Sequence, residues 1–380
     1  MLYRLSHAAC VCLFLIVFMS SSSASAAVPA EGINLMDYGA VGNNIADDGP
    51  ALQRALDALA AQGGGTLIVP NGKYAICSPV SKDFFNQASA IIIRGVGSAS
   101  QFRIATPSTT TISLNNLENL LIDNLTFVGT LNVTSDALVA LRISYCLRAT
   151  IRNCNFYGIS SLNLNGAVIY NYNSDVAIEH CAFRGCTGNS GQGVPVVQNE
   201  SWLGLSVTDT DFMDFGVLNG VYYSKTPYAP ALAWIRMGNT STLTDATRQN
   251  EVTINRVRMD EGAFVGFVAQ PNYPSASDKI AHVFISGLRL NGSAVTSGTG
   301  IVLSNVDKVF IERSWIGYTQ LPRTAISLQS VGDAVIDSVR CEQSMNVITA
   351  DSATRSLSLI NVSATIQSSA QATKITTGVR

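Results

Sequence analysis

Charge is scarce in this sequence: 13% of its 380 residues are Asp, Glu, Lys or Arg, and the formal net charge is −2 at pH 7. So weak and balanced a charge excludes the basic face of a nucleic-acid binder and the polybasic patch of an electrostatic membrane binder. Histidine is scarcer still, with 3 in all. His7 lies at the extreme N-terminus, which leaves His180 and His282. Acid–base chemistry would therefore fall mainly to carboxylates, Tyr or Arg. After the first twenty residues no segment approaches the roughly 18 continuous apolar residues of a membrane-spanning helix.

The N-terminus reads as an export signal. Arg4 supplies a positive start, Ala8 to Phe18 is a short apolar run, and Ala24-Ser25-Ala26 is a small-residue cleavage site. The expectation is a signal peptide over 1–26, a mature start near Ala27 and a secreted or periplasmic protein, with no membrane contact after cleavage. Cys10 and Cys12 would leave with it, and six cysteines stay.

What the sequence does have is a repeated phrase. It runs apolar, any, apolar, any, a turn-prone residue, apolar, any, apolar, and first appears clearly as Leu120 to Phe127. It returns around Ile151, Ile178, Val207, Ile254, Ile285, Ile311, Ile336 and Leu359. Counted from Ile122, the steps are 29, 27, 29, 47, 31, 26, 25 and 23 residues. A period in the twenties with strand alternation inside each unit is the pattern of a solenoid of stacked β-coils. Such a fold grows by adding coils, so residues 27–380 fit one domain. The positive mean hydropathy of +0.24 suits its continuous apolar interior.

Within a unit, Val176, Ile178, Cys181 and Phe183 point inward, while Glu179 and Ala182 point out. Asn124, Asn153, His180 and Asp209 fall at the turn between two sheets, which makes His180 a turn residue before it is a catalyst. Cys154 and Cys181 share one slot on successive coils. Strand spacing of about 4.8 Å would permit a bridge, yet in-register parallel side chains favour a buried thiol stack. Cys146 and Cys186 remain alternative partners.

The segment 31–76 differs from the rest and reads as a cap. Asp47-Asp48-Gly49-Pro50 starts a helix, Leu52, Ala55, Leu56 and Leu59 keep helical spacing, and Gly63-Gly64-Gly65 ends it. Thr66 to Pro70 and Lys73 to Ile76 follow as strands around Asn71-Gly72. A short helix here would cover the open end of the stack. The run DYGAVGNNIADDGPALQRALDALAAQGGGTLIVPNGKYAI resembles the N-terminal signature of the pectate lyase-like superfamily, in its branch of pectate-lyase or polygalacturonase-related domains that also includes phage tailspikes. The resemblance implies an all-β, single-stranded right-handed parallel β-helix with three short sheets per turn. With the repeat count, about ten coils are expected behind the capping helix.

The 47-residue step is the largest break in the rhythm, and its excess lies within 218–250. Long loops on rigid scaffolds commonly carry function. This one holds Tyr222, Tyr223, Tyr228, Trp234 and Arg236, whose rings suit sugar faces unless they fold down over one another. Polygalacturonases, which the signature resembles, carry Asn-Thr-Asp, Asp-Asp and Gly-His-Gly on successive coils. At the second of those places this chain has Asp260 and Glu261. At the third it has Gly298-Thr299-Gly300, which departs from that pattern. An acid pair of this kind protonates a leaving oxygen and activates water, with Arg323 or Arg236 assisting.

Lyase chemistry needs a uronate carboxylate neutralised by Ca²⁺ or Arg, and a base near C5. The acids Asp209, Asp211 and Asp214 are candidate Ca²⁺ ligands for a lyase; otherwise no cofactor or metal is expected. One outward slot reads Asp211, Arg258, Arg289, Trp315 and Arg340 on successive coils. It is either a stripe for an anionic polysaccharide or a solvated face. His282 faces out beside these coils as a further candidate base. The function expected is a carbohydrate-active protein, a glycoside hydrolase or polysaccharide lyase on an extended polysaccharide. The alternative is a non-catalytic glycan-binding or surface-structural β-helix, tailspike-like proteins included.

Overall fold

The computed structural model describes residues 32–106, 109–129, 139–161, 166–188, 195–201, 203–213, 215–218, 221–224, 231–238, 251–260, 263–269, 280–291, 299–317, 323–342 and 345–376. They form a parallel β-helix of three long sheets with 13, 11 and 11 strands. The number of levels differs slightly from the ten or so coils expected. The first sheet takes one strand from each repeated phrase. The second takes the strand just after the phrase's turn, and the third takes the segment that closes each coil.

Every step of the repeat, long or short, climbs one level. Ile122 pairs with Ile151, Ile151 with Ile178, Ile178 with Val207, and Val207 with Ile254 across the 47-residue step. Neighbouring levels therefore bring identical slots together, and the interior becomes columns of like side chains. Phe102, Phe127, Phe156, Phe183 and Phe212 form one such column in the second sheet. The last four rings stack with centroids 4.8, 4.6 and 4.8 Å apart. All five are buried.

The corners follow from side-chain chemistry. Asn124, Asn153, His180 and Asp209 all have positive φ, at 59°, 54°, 51° and 49°. This left-handed turn is where Asn and Asp are tolerated best. The turn residues also tie levels together. Asn124 donates to the Gly95 carbonyl at 3.2 Å, and Asn153 to Asp123 at 3.0 Å. Arg256 grips Asp209 through two bonds of 2.6 Å. His180 is thus a corner residue, 3.5 Å from Asp209.

Cys154 and Cys181 are free and buried, each thiol donating to a carbonyl of the preceding level, Ile122 and Ile151 respectively. The stack, not a bridge, is what forms.

One α-helix, Gly49–Ala61, closes the N-terminal end and buries Ala51, Leu52, Ala55, Leu56 and Leu59. Its start differs from the expectation in one respect: Asp48 makes no side-chain bond to the helix. Its buried carboxylate instead accepts from the Val41 and Gly42 amides at 2.6 and 3.2 Å. Asp47 does the capping, accepting from Gly49 at 3.0 Å and also from Cys77 and Ser78. Both acids fasten chain segments to one another. Among the described residues no helix is long and apolar enough to cross a membrane. Residues 1–26, the expected signal peptide, lie outside the described residues.

Candidate functional site

The residues singled out from the sequence scatter over the cylinder. Trp234 lies in the third-sheet strand Ala231–Met237, an ordinary level of the helix rather than a protrusion. It is 2% exposed, tilts against Phe212 and donates its indole N–H to the Asp260 carbonyl at 3.0 Å. A ring so enclosed has no face for a sugar, which corrects its assignment as a binding aromatic. The long step instead contributes an antiparallel hairpin, Phe215–Leu218 with Val221–Ser224. Leu218 packs on Val128 and Tyr157, so the hairpin reaches back over two earlier strands of the second sheet. Tyr222 and Tyr223 belong to that hairpin, but their side chains lie outside the described residues. Tyr228 and Glu261 lie outside them altogether, as does the side chain of Arg323.

Asp260 follows the second-sheet strand Arg258–Met259, is buried, and its carboxylate is taken up by Arg258. The outward slot expected as a stripe is real in register: Asp211, Arg258, Arg289, Trp315 and Arg340 are consecutive partners. Of the acidic run, Asp209 and Asp211 are each held by an Arg of their own, and Asp214 lies outside the described residues. Asp209 is held in its corner by Arg256, while Asp211 faces Arg184 at 3.9 Å on the second sheet. Those two oxygen donors do not fit a shared Ca²⁺, whose ligands must surround one point. Among the described residues no three His, Cys, Asp or Glu gather as a metal site. His282 lies tilted against Phe284 on the first sheet, with ring centroids 5.8 Å apart.

Side chains converge elsewhere, on the outward face of the third sheet. Register places Ser113, Arg142, Tyr170, Gln198 and Arg236 in one column across five levels. Asn115, Ser144, Tyr172 and Glu200 form the column two residues along. Side chains alternate in direction along these strands, so Ile143, Asn171 and Asn199 fill the interior while these residues face out, Gln198 and Glu200 being buried there as well.

Arg142 lies against two rings, its guanidinium carbon 5.2 Å from the Tyr170 centroid and 5.5 Å from that of Tyr172. Its Nε donates to Ser144 at 3.1 Å. Tyr170 donates its hydroxyl to Glu200, and Gln198 donates to the other Glu200 oxygen at 3.4 Å. Burial raises the Glu200 carboxyl above the ordinary value, although Tyr170, Arg236 and Arg142 all pull the other way. Burial, with Glu200 adding to it, also raises the Tyr170 phenol. Arg236 moves down, because burial outweighs the attraction of Glu200.

Beside this cluster lies an open cleft of about 520 Å³, lined by Val80, Ser81, Thr110, Ser113, Asn115, Arg142, Ser144, Tyr145 and Tyr172. Tyr145 stands at its rim. It occupies the corner column that holds Asn116, Asn173, Asn305 and Ser330 on other levels, at φ 56°. A left-handed conformation costs a bulky side chain roughly 1–2 kcal/mol. The phenol so placed meets Tyr172 edge-on, centroids 5.4 Å apart. Of this cluster the sequence singles out Arg236 alone, because attention falls on the turns before each third strand and not on the strands themselves. Laying the third strands on one another would have found it.

Residues 32–217 match the family model described as rhamnogalacturonase A/epimerase, pectate lyase-like. Mannuronan C5-epimerase AlgE1 of Azotobacter vinelandii is 49% identical over 43 residues, 11% of this chain and 3% of that protein. Iota-carrageenase of Alteromonas macleodii is 54% identical over 39 residues, 10% of this chain and 8% of that protein. The chain thus matches only a small fraction of the length of these curated relatives. Among solved structures, PfbA, a surface adhesin of Streptococcus pneumoniae, shares the fold with a TM-score of 0.54. The two are 14% identical, and the superposition covers 91% of each chain.

Proposed function

We propose that this chain, a member of the pectate lyase-like superfamily, binds an extended acidic polysaccharide across its third sheet and removes a proton next to a sugar carboxylate. One observation carries this: Arg142, set against Tyr170 and Tyr172 at the cleft, stands beside a hydroxyl that is bonded to the buried Glu200. Carbon–hydrogen bonds next to a carboxylate become acidic only when the carboxylate's charge is neutralised, and a guanidinium does that with two parallel donors. The proton needs an acceptor whose affinity lies near the working pH. Burial moves Glu200 in that direction.

Tyr170 takes the sugar's proton on its oxygen as its own proton passes to Glu200, so the phenol need never stand ionised. The electron pair left on the sugar then has two outlets. It expels the neighbouring glycosidic oxygen, which takes a proton from Tyr170 as Glu200 returns one to the phenol, and leaves as a hydroxyl while a carbon–carbon double bond forms. Otherwise it is reprotonated from the opposite face, which inverts the centre. Names of proteins similar to parts of this chain include an epimerase and a carrageenase, and the cluster's chemistry is compatible with the first.

The test is a panel of acidic and neutral polysaccharides offered in deuterated water. Unsaturated-uronate absorbance, new reducing ends and deuterium uptake into the sugar are followed together. Glu200→Gln and Tyr170→Phe should each lower proton removal by about 10²-fold or more. Undiminished turnover in Glu200→Gln would overturn the assignment. A second reading, glycan binding without turnover, draws on Tyr170 and Glu200 being already bonded to each other. Binding by the native chain with no deuterium uptake across the panel would select it.

A further inference from the structure

The outward stripe of the second sheet is not absorbed by the cleft, which belongs to the third. Its members differ in a way the sequence did not reveal. Arg258 and Arg340 are each neutralised by an acid two residues further along the chain, Asp260 and Glu342. At the level between Arg258 and Trp315, the position two residues along is Asn291, and Arg289 forms no ion pair among the described residues. Its guanidinium lies over the Trp315 ring at 5.7 Å. It is exposed, and the indole is half-buried.

The indole has a seat made for it. It leans over Gly317 on its own strand, where a β-carbon would fall 2.3 Å from Cζ2 and 2.6 Å from Cη2. Only glycine lets the ring lie down at that spot. An aromatic ring laid along a sheet, an uncompensated guanidinium beside it, and two further arginines held in place by their own acids form a platform. It runs along the cylinder axis at about 4.8 Å per level.

We propose that Arg289 and Trp315 form a second glycan-binding site, separate from the cleft, that takes an anionic sugar of an extended polysaccharide. The carboxylate or sulfate meets Arg289, whose fork of donors matches either group, and the apolar face of the ring it belongs to stacks on Trp315. Arg258 and Arg340 flank this centre and favour a chain lying along the stripe. The site does not depend on the chemistry assigned to the third sheet.

The experiment is native gel retardation of the full chain in gels cast with polygalacturonate, with sulfated dextran or with neutral dextran. Retardation is expected with an anionic polymer and not with neutral dextran. The anionic gels tell carboxylate from sulfate recognition, and retardation by either one sustains the site. Arg289→Gln and Trp315→Ala should each weaken retardation about tenfold. Gly317→Ala should weaken it too, since it displaces the indole although both binding side chains are still present. All three changes point outward from the core, and an unaltered Tm shows that the fold is intact. Arg142→Gln, in the cleft, should lower retardation without abolishing it, and the stripe variants should weaken what remains in that background. Undiminished retardation of an Arg289→Gln/Trp315→Ala double variant, or equal retardation in neutral dextran, overturns the proposal. Loss of turnover in Arg142→Gln with no retardation defect in the stripe variants sinks this site and spares the cleft.

Discussion

Tyr170 and Glu200, on adjacent strands and 30 residues apart in sequence, share one hydrogen bond on a face that should by rights be wet. Glu200 is only 5% exposed, so the fold holds a carboxyl where its neutral form is favoured. The sign follows from that. A raised carboxyl in the folded state contributes stability that is fully present below the unfolded value of about 4.3. It is lost as pH rises through the higher folded value. The Tm of the native chain should therefore fall between mildly acidic and neutral pH more steeply than that of Glu200→Gln. Parallel melting curves of the two from pH 4 to 8 check it, and identical slopes would remove Glu200 as the source.

Trp234 belongs to the core. Its replacement by Ala deletes a buried ring packed on Phe212 and leaves the Asp260 carbonyl without its donor. A loss of about 3–5 kcal/mol is expected from chemical denaturation. Glycan retardation, measured below the melting range, should not change. A stable variant with lost binding would show that the ring faces ligand after all.

The corner at Asn153 separates two effects. Asn153→Gly keeps the φ of 54° and removes only the bond to Asp123, at a cost of about 1 kcal/mol. Asn153→Val loses the same bond and must also hold a β-branched residue in the left-handed region, adding roughly 1–2 kcal/mol. Equal stabilities for the two would mean that the corner relaxes.

Thiol titration reads the burial of the cysteines. In a chain lacking the first 26 residues, Cys77 should react first with a disulfide reagent, because it alone of the six described cysteines is exposed. Burial, helped by Asp47 and Asp48, raises its thiol above the ordinary value, so the reaction should quicken above neutral pH. Cys146, pushed up to about 11, and Cys186 and Cys341, each pushed up to about 12, should wait for unfolding. Prompt reaction of more than one thiol in the native chain would contradict this burial.

The corner residues and the phenylalanine column were legible from sequence because a turn residue holds one slot of every phrase and Phe another in four successive phrases, and stacking multiplies a weak local preference. Asp47 and Asp48 were legible as structural for the same kind of reason, their place beside a helix start. The cluster around Arg142 was not, Arg236 excepted. Its members occupy equivalent outward slots but are chemically unlike: Ser, Arg, Tyr, Gln, Arg. Outward positions obey no packing rule, so nothing in the pattern marks them until register lays them side by side. Trp234 misled for the opposite reason. Its strand falls inside the longest step of the repeat, and a count of residues cannot tell which part of such a step forms a level of the cylinder.

The pairing of Val207 with Ile254 has one more consequence. Twenty or so extra residues entered between two levels, and neither the column of side chains nor the strand spacing registers their presence. The cylinder thus behaves as a rail whose corners accept fittings, with the hairpin from Phe215 to Ser224 as one of them. Loops grafted at other corners should change what the surface grips while the hydrophobic interior stays as it is, so that specificity and stability can be altered one at a time.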